Sequence, residues 1–307
     1  MEKKLAYRLE ELKERLEKKN IEIEAEADMS RLTSFRAGGK AALMASPRDE
    51  EQLRETLFAA AEKDVPHMIL GNGSNTLFRD SGYDGMVVRL SEGFKNMETD
   101  GEELRCGASL LLSAIARRAL ENSLTGFEFA SGIPGSLGGA LFMNAGAYGG
   151  EMKDVVRWVR ALSPDGSEEK IFTCDEMEFG YRTGILQKNG YIAVEAGIRL
   201  AAGKRDLIAA TMKELSEKRN SKQPVNFPSA GSTFKRPEGY FAGKLIEEAG
   251  LKGVSVGGAQ VSTLHSGFII NRGGATATDI IDLITLVQNT VYDKKGVMLQ
   301  PEVRIIG

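Results

Sequence analysis

With two cysteines, two histidines and no apolar run near the roughly 20 residues that span a bilayer, the sequence argues against several classes of protein at once. Cys106 and Cys174 stand alone without a CxxC partner. Neither a disulfide scaffold nor a cysteine-rich metal site is expected, and a reducing compartment fits. His67 and His265 are the only imidazoles, so no zinc or other metal site is expected either. No charge of one sign dominates: 40 basic and 43 acidic side chains leave a net −3. That balance gives no reason to expect nucleic acid or a membrane surface as a partner. The chain opens Met1-Glu2-Lys3-Lys4 with no apolar h-region. The expectation is a cytoplasmic protein without a signal peptide.

Glycine is what the sequence has in excess. Its 35 glycines in 307 residues exceed the usual share of about 7%, and they cluster at 71–73, 132–150 and 250–258. Glycine gives up stability in exchange for positive φ or close approach to a neighbour. Three clusters in one chain suggest a large ligand wrapped by backbone. The length suits two or three subdomains. Leu5, Leu9, Leu12 and Leu16 predict a helix over 2–19, and Ser46-Pro47-Arg48-Asp49 predicts a second, capped by Ser46, running to about Lys63. Strands are expected at 66–70 and 86–90, and a helix capped by Ser109 runs to about Glu121. Further strands are expected at 155–162 and 191–200, helices at 206–220 and 279–293, and a last strand at 302–306. Strands and helices do not alternate strictly, so the pattern reads as α+β.

In Leu70-Gly71-Asn72-Gly73-Ser74-Asn75 a short apolar strand runs into small residues. Successive backbone N–H groups there suit an anion-binding nest. Gly71 and Gly73 match the start of a dinucleotide fingerprint, but Thr76 stands where the third glycine belongs and no helix is expected to follow. Taken alone, the segment reads equally well as a nest or a plain hairpin turn. The second loop shifts that balance. Seven glycines lie between 132 and 150 with apolar residues interleaved and no linker composition. Backbone of that kind is shaped to lie against something flat or charged.

Six motifs then follow in order: Thr33-Ser34-Phe35-Arg36-Ala37-Gly38-Gly39, Gly71 to Asn75, the 130–150 loop, Phe179-Gly180-Tyr181-Arg182, Ala230-Gly231-Ser232-Thr233-Phe234-Lys235, and Gln300-Pro301-Glu302-Val303-Arg304. Together they resemble the UDP-N-acetylenolpyruvoylglucosamine reductase family, flavoenzymes of peptidoglycan precursor synthesis, over about 33–307. The resemblance implies an FAD-binding domain of the vanillyl-alcohol-oxidase (PCMH) type and a C-terminal α+β substrate-binding domain. The expected division is an N-terminal helix at 1–30, an FAD domain at 31–200 in two parts (31–90 and 91–200), and a substrate domain at 201–307 whose last strand returns to the first part.

The resemblance further implies non-covalent FAD, NADPH as reductant, and a UDP-N-acetylglucosamine enolpyruvate substrate. Cofactor contacts are then expected from Arg36, Gly71, Asn72, Gly73, Ser74, Asn75 and Thr76. The second loop is expected to add Ala130, Ser131, Ile133, Pro134, Gly135, Ser136, Gly138, Gly139, Asn144 and Gly146. Hydride addition to the terminal vinyl carbon leaves negative charge next to the substrate carboxylate, so the site needs a fixed cation and an acid. Arg182 is implied for the first task, Ser232 for the second, and Glu302 as a hydrogen-bonding partner. Without the motif Arg182 would read as a surface arginine, Ser232 as a small loop residue and Glu302 as half of an edge-strand ion pair. Tyr181, Lys222, Lys235, Gln260 and His265 are expected on the substrate side, although core packing suits Gln260 and His265 about equally well. Trp158 is assigned to packing.

The short stretches after Arg182 and Phe234 leave little room for the tyrosine-bearing insertion of some family members, so the chain resembles the shorter type. Two rivals remain. Another flavin oxidoreductase on the same fold would lack the Arg182, Ser232 and Glu302 set. Gly253-Val254-Ser255-Val256-Gly257 matches a hydrolase elbow, but that motif needs a strand before it and a helix after.

Overall fold

The computed structural model describes residues 2–307, in which helices and strands mix without strict alternation, as expected of an α+β chain. Two compact units divide it: Met1–Ala25, Leu43–Asn72 and Gly85–Glu217 form one, and Glu26–Ala42, Gly73–Asp84 and Lys218–Gly307 the other. This division differs from one cut at residues 30 and 200, because two early segments group with the C-terminal residues.

The first unit is built on a five-stranded antiparallel sheet in the order Glu169–Thr173, Val156–Leu162, Ile192–Arg199, Glu103–Gly107, Met97–Asp100. The helix Leu112–Glu121 buries Leu112, Ile115, Ala116 and Ala119, the one-face spacing of an amphipathic helix. These join Leu104, Val159, Ala196 and Ile198 in one core. Each of the leucines, isoleucines and valines contributes about 1.5–3 kcal/mol on burial. Cys106 lies in the same core, and burial pushes its thiol up to about 12, which keeps it protonated and unreactive. Trp158 packs as expected: its indole N–H donates to Glu103 Oε1 at 3.0 Å. A second core in this unit joins Leu12 and Leu16 of the helix Glu2–Lys18 to Leu53 and Leu57 of the helix Glu50–Glu62.

Two caps differ from the sequence expectation. Ser46 ends the strand Lys40–Ser46, and Asp49 caps the following helix by accepting from Gln52 N at 2.9 Å. Aspartate three residues closer to the first helical turn outcompetes the serine. Ser109 likewise does not cap its helix: its hydroxyl donates to Leu90 O at 3.1 Å, and the helix begins only at Leu112.

In the second unit the antiparallel strands Ser255–Val256, Ala259–Val261 and Ile269–Asn271 pack with the helix Ala277–Lys295. Ile280, Leu283, Ile284, Val287 and Val291 supply the buried face of that helix. Phe35, Ala37 and Leu77 belong to the same core, which is why the early segments group here. Arg304–Ile306 runs parallel to Thr76–Phe78. Asn271, nearly wholly buried, donates to Phe35 O at 2.9 Å and accepts from Gly273 N at 2.8 Å. The third glycine cluster has an internal use, since Gly258 N donates to Asp279 Oδ2 at 3.1 Å, beside the capping box Thr276–Asp279 of the long helix.

Asp80 reaches the same helix start, accepting from Ala277 N at 2.9 Å, Thr278 N at 2.8 Å and the Thr278 hydroxyl at 2.7 Å. Burial opposes its charge, but these three donors outweigh that and hold the carboxyl below its usual range. A carboxyl depressed in the folded state contributes stability that is complete above its unfolded pKa and is lost as pH falls through the folded one. Asp80→Ala should therefore cost about 1 kcal/mol near neutral pH, comparable to losing a helix cap. Thermal melts across pH should show the difference from wild type disappearing below the usual carboxylate range. A constant difference down to the lowest pH would contradict the linkage.

Candidate active site

The glycine turn begins in the first unit. A Cβ at Gly71 would lie 2.6 Å from Ser136 Oγ, so a side chain there would require that hydroxyl to turn away. Asn72 donates through Nδ2 to Pro134 O at 2.7 Å, tying the turn to the second loop. That loop is ordered by backbone bonds. Ile133 N donates to Ala130 O at 3.1 Å, Leu112 N to Gly135 O at 3.0 Å, and Gly138 N to Ala108 O at 2.8 Å. The Ser131 hydroxyl donates to Glu128 O at 2.8 Å. Gly138 is explained by packing, since a Cβ would meet Ala108 at 3.3 Å. Gly139 is not: it is exposed, and a Cβ would touch only Ser136 Oγ at 3.6 Å. Internal packing leaves Gly139 without a reason to be glycine, which suits a face kept clear for a flat ligand.

Asn144 ends the helix Leu137–Met143 in a left-handed conformation at φ 42° and is completely buried. Its Nδ2 donates to Glu151 Oε2 at 2.6 Å and Gly180 O at 3.0 Å, and its Oδ1 accepts from Lys153 N at 3.0 Å. The expectation that Asn144 contacts a cofactor meets a side chain already committed to its own unit. Gly180 and Thr183 close a tight turn with backbone bonds of 3.0 and 3.3 Å. Between them Arg182 sits at φ 55°, which costs a non-glycine residue about 1–2 kcal/mol. Its guanidinium lies 5.3 Å from the Tyr181 ring centroid and donates through Nη2 to Gly146 O at 3.3 Å. Tyr181 itself is exposed. A short helix, Ile185–Asn189, leads straight to the strand at Ile192, leaving no long insertion.

In the second unit, Ser232 is exposed between Gly231 at φ 74° and a fully buried Thr233. Thr233 holds the segment on three sides. Its N–H donates to Gly267 O at 2.8 Å, its Oγ1 accepts from Ile269 N at 3.0 Å, and its carbonyl accepts from Glu302 N at 2.8 Å. With Lys235 N donating to Gln300 O at 2.8 Å, Ser232 and Glu302 lie on adjacent antiparallel segments. Asn75 reinforces the pair: its Nδ2 donates to Glu302 O at 3.1 Å and its carbonyl accepts from Arg304 N at 3.0 Å. Gly73 sits at φ 62°, where a Cβ would lie 2.0 Å from Leu32 O, and its own carbonyl accepts from Ser34 N at 3.0 Å. The half-buried Ser74 follows in the turn, and Thr76 opens the strand that pairs with Arg304.

The Ser34 hydroxyl beside that turn is buried with no hydrogen-bond partner. Pattern reading singled out its neighbour Arg36, whose side chain is exposed at φ 53°, and passed over Ser34. Its only sequence signal was its place in the Thr33–Gly39 motif. Lys222 is exposed at the end of the helix Arg205–Lys222, and Lys235 is half-buried. Gln260 braces its hairpin by donating to Gly253 O at 3.0 Å and Ser255 Oγ at 3.1 Å. His265 accepts from Gly267 N at 3.1 Å through Nδ1, and burial pushes its pKa down, so the ring is neutral. It shapes the loop that receives Thr233. Ser255 lies in a hairpin strand with another strand after it, so it is no hydrolase elbow. Among the described residues no group of three His, Cys, Asp or Glu is placed to hold a metal, and no helix is long and apolar enough to cross a membrane.

Residues 223–306 match the family model for the UDP-N-acetylenolpyruvoylglucosamine reductase C-terminal domain, and residues 41–171 match an FAD binding domain. The chain is 50% identical over 286 residues to the UDP-N-acetylenolpyruvoylglucosamine reductase of Clostridioides difficile, covering 93% of this chain and 94% of that one. The enzyme of the same name from Caldanaerobacter subterraneus is 50% identical over 279 residues, 91% of this chain and 92% of its own. The crystal structure of the reductase from Thermus caldophilus superposes with a TM-score of 0.81 at 32% identity, covering 94% of this chain and 99% of that one.

Two glycine exchanges test the backbone geometry in opposite directions. Arg182→Gly should raise stability by about 1 kcal/mol through relief of the left-handed strain. Gly73→Ala should lower the melting temperature, since a methyl group collides with the Leu32 carbonyl at a φ alanine avoids. A less stable Arg182→Gly protein in urea titration would show that the turn carries no strain.

Proposed function

The chain belongs to the UDP-N-acetylenolpyruvoylglucosamine reductase family, and we propose that Arg182, Ser232 and Glu302 carry its chemistry. The reaction is the NADPH-dependent reduction of UDP-N-acetylglucosamine enolpyruvate to UDP-N-acetylmuramate, a step of peptidoglycan precursor synthesis. FAD, when bound, supplies the hydride that it takes from NADPH. The open face at Gly139, the positive-φ turn at Gly73 and the unpartnered Ser34 hydroxyl beside it fit such a group. Arg36, Gly71 to Thr76, Ala130, Ser131, Ile133, Pro134, Gly135, Ser136, Gly138, Gly139 and Gly146 would hold it, the turn amides supplying donors of the kind a pyrophosphate needs.

Arg182 grips the substrate carboxylate. Its guanidinium stays charged at any working pH and forms two parallel hydrogen bonds to a planar carboxylate, the group into which charge spreads when the vinyl carbon is reduced. Ser232 gives its hydroxyl proton to the alpha carbon. A serine hydroxyl is a weak acid, but the carbon of an enediolate is basic enough to take the proton when the geometry is held. Thr233 holds that geometry from both its amide and its side chain. Glu302 hydrogen-bonds beside the developing charge, and Lys222, Lys235, Tyr181, Gln260 and His265 form the outer contacts to the UDP sugar. Since the reaction consumes NADPH and a nucleotide-linked sugar, the chain works in the cytoplasm. The observation that carries the assignment is the 2.8 Å bond from Glu302 N to Thr233 O, which sets Ser232 and Glu302 side by side within one unit.

Anaerobic half-reactions test the roles separately. In Ser232→Ala, NADPH should still bleach the flavin at the wild-type rate, while reoxidation by the UDP-sugar enolpyruvate falls by about 10²–10⁴-fold. Reoxidation at the wild-type rate would remove Ser232 as the proton donor. Reoxidation of the wild type by oxygen but not by the enolpyruvate would point to an oxidase instead.

A further inference from the structure

We propose that Asn144 is a positioning residue for Arg182, fixing the strained turn that aims the guanidinium. The turn closes four residues with two backbone bonds, Gln187 Nε2 donates to Arg182 O at 3.1 Å, and Arg182 sits at φ 55°. Left to itself, a residue of this kind relaxes to a right-handed or extended conformation, which would swing the side chain away. Such strain persists only where the surroundings over-determine it.

Asn144 supplies that constraint. Its Nδ2 donates at 3.0 Å to Gly180 O, the same carbonyl that accepts from Thr183 N and closes the turn. Its second Nδ2 proton goes to Glu151 Oε2 at 2.6 Å, a charge-assisted bond, and Oδ1 accepts from Lys153 N at 3.0 Å. The orientation of the amide follows from its partners. Turned over, the oxygen would face a carboxylate and a carbonyl, and the NH₂ would face an N–H. Glu151 is itself fixed, accepting within a capping box and paired with Lys153 Nζ at 3.1 Å. Two residues further on, Gly146 O accepts from Arg182 Nη2 at 3.3 Å. The segment 144–146 thus holds Arg182 at both ends, through the Asn144 side chain at the turn's base and the Gly146 carbonyl at the guanidinium. With every polar group of its side chain committed and no exposed surface, Asn144 has nothing left for a cofactor.

The proposal rests on the reading that Arg182 meets the substrate carboxylate, so Arg182→Ala is measured alongside. Asn144→Gly removes the amide and keeps the left-handed helix end, a conformation glycine favours. Flavin content and reduction by NADPH should match wild type, while anaerobic reoxidation by the enolpyruvate slows about a hundredfold, the scale of a 1 Å misplacement. Asn144→Asp puts an oxygen where the NH₂ stood, and a single proton shared with Glu151 leaves none for Gly180 O. Its reoxidation should therefore be as slow as in Asn144→Gly near neutral pH and recover only where both carboxyls are protonated, with no such recovery in Asn144→Gly. Loss of flavin, or equal slowing of both half-reactions, would make Asn144 a cofactor or folding residue and overturn the proposal. Normal reoxidation in Asn144→Gly with slow reoxidation in Arg182→Ala would overturn it and leave the role of Arg182 standing. Normal reoxidation in both would remove the role of Arg182 as well.

Discussion

Glycine-rich loops have few side chains with which to hold themselves in place, yet buried polar groups in them must still find partners. Here a few buried polar side chains answer that constraint. Asn144 ties 151–153 to 180, Thr233 ties 267–269 to 302, and Asn271 ties 35 to 273–275. Each is at most 4% exposed. The sheets and helices supply apolar burial, while these residues convert that rigidity into fixed loop positions.

The same constraint divides the glycines. Gly71 and Gly138 are small because another part of the chain lies against them, and Gly73 because its φ is positive as well. Gly139 answers to no internal neighbour closer than 3.6 Å. The arginines Arg36 and Arg182 invert the logic, since both occupy left-handed conformations that glycine would take without strain. A residue kept at such a cost points to its side chain rather than its backbone as the reason.

Much of this was legible before any coordinates. The helices at 2–18 and 277–295 and the strands at 156–162 and 192–199 follow their apolar spacing closely. The ordered motifs pointed to the reductase family, to which the chain belongs. Less legible were the caps. Ser46 and Ser109 carry a capping signature, but Asp49 competes for one helix and the Leu90 carbonyl takes the other hydroxyl. Local chemistry names the candidates for a bond, and it does not choose among them.

The amino-acid sequence by itself determined the periodic elements, the α+β class and the glycine-rich turns, because these rest on spacing and residue type within a short stretch. Only the tertiary structure decided that residues 26–42 and 73–84 group with the C-terminal unit, and that Ser232 stands beside Glu302. It also decided that Asn144 serves the Arg182 turn. Each of these depends on a hydrogen bond or an apolar contact between segments 30 to 270 residues apart, such as Asn144 with Gly180 or Phe35 with the core of the helix Ala277–Lys295. No local pattern encodes which of several equally suited partners will be brought within 3 Å.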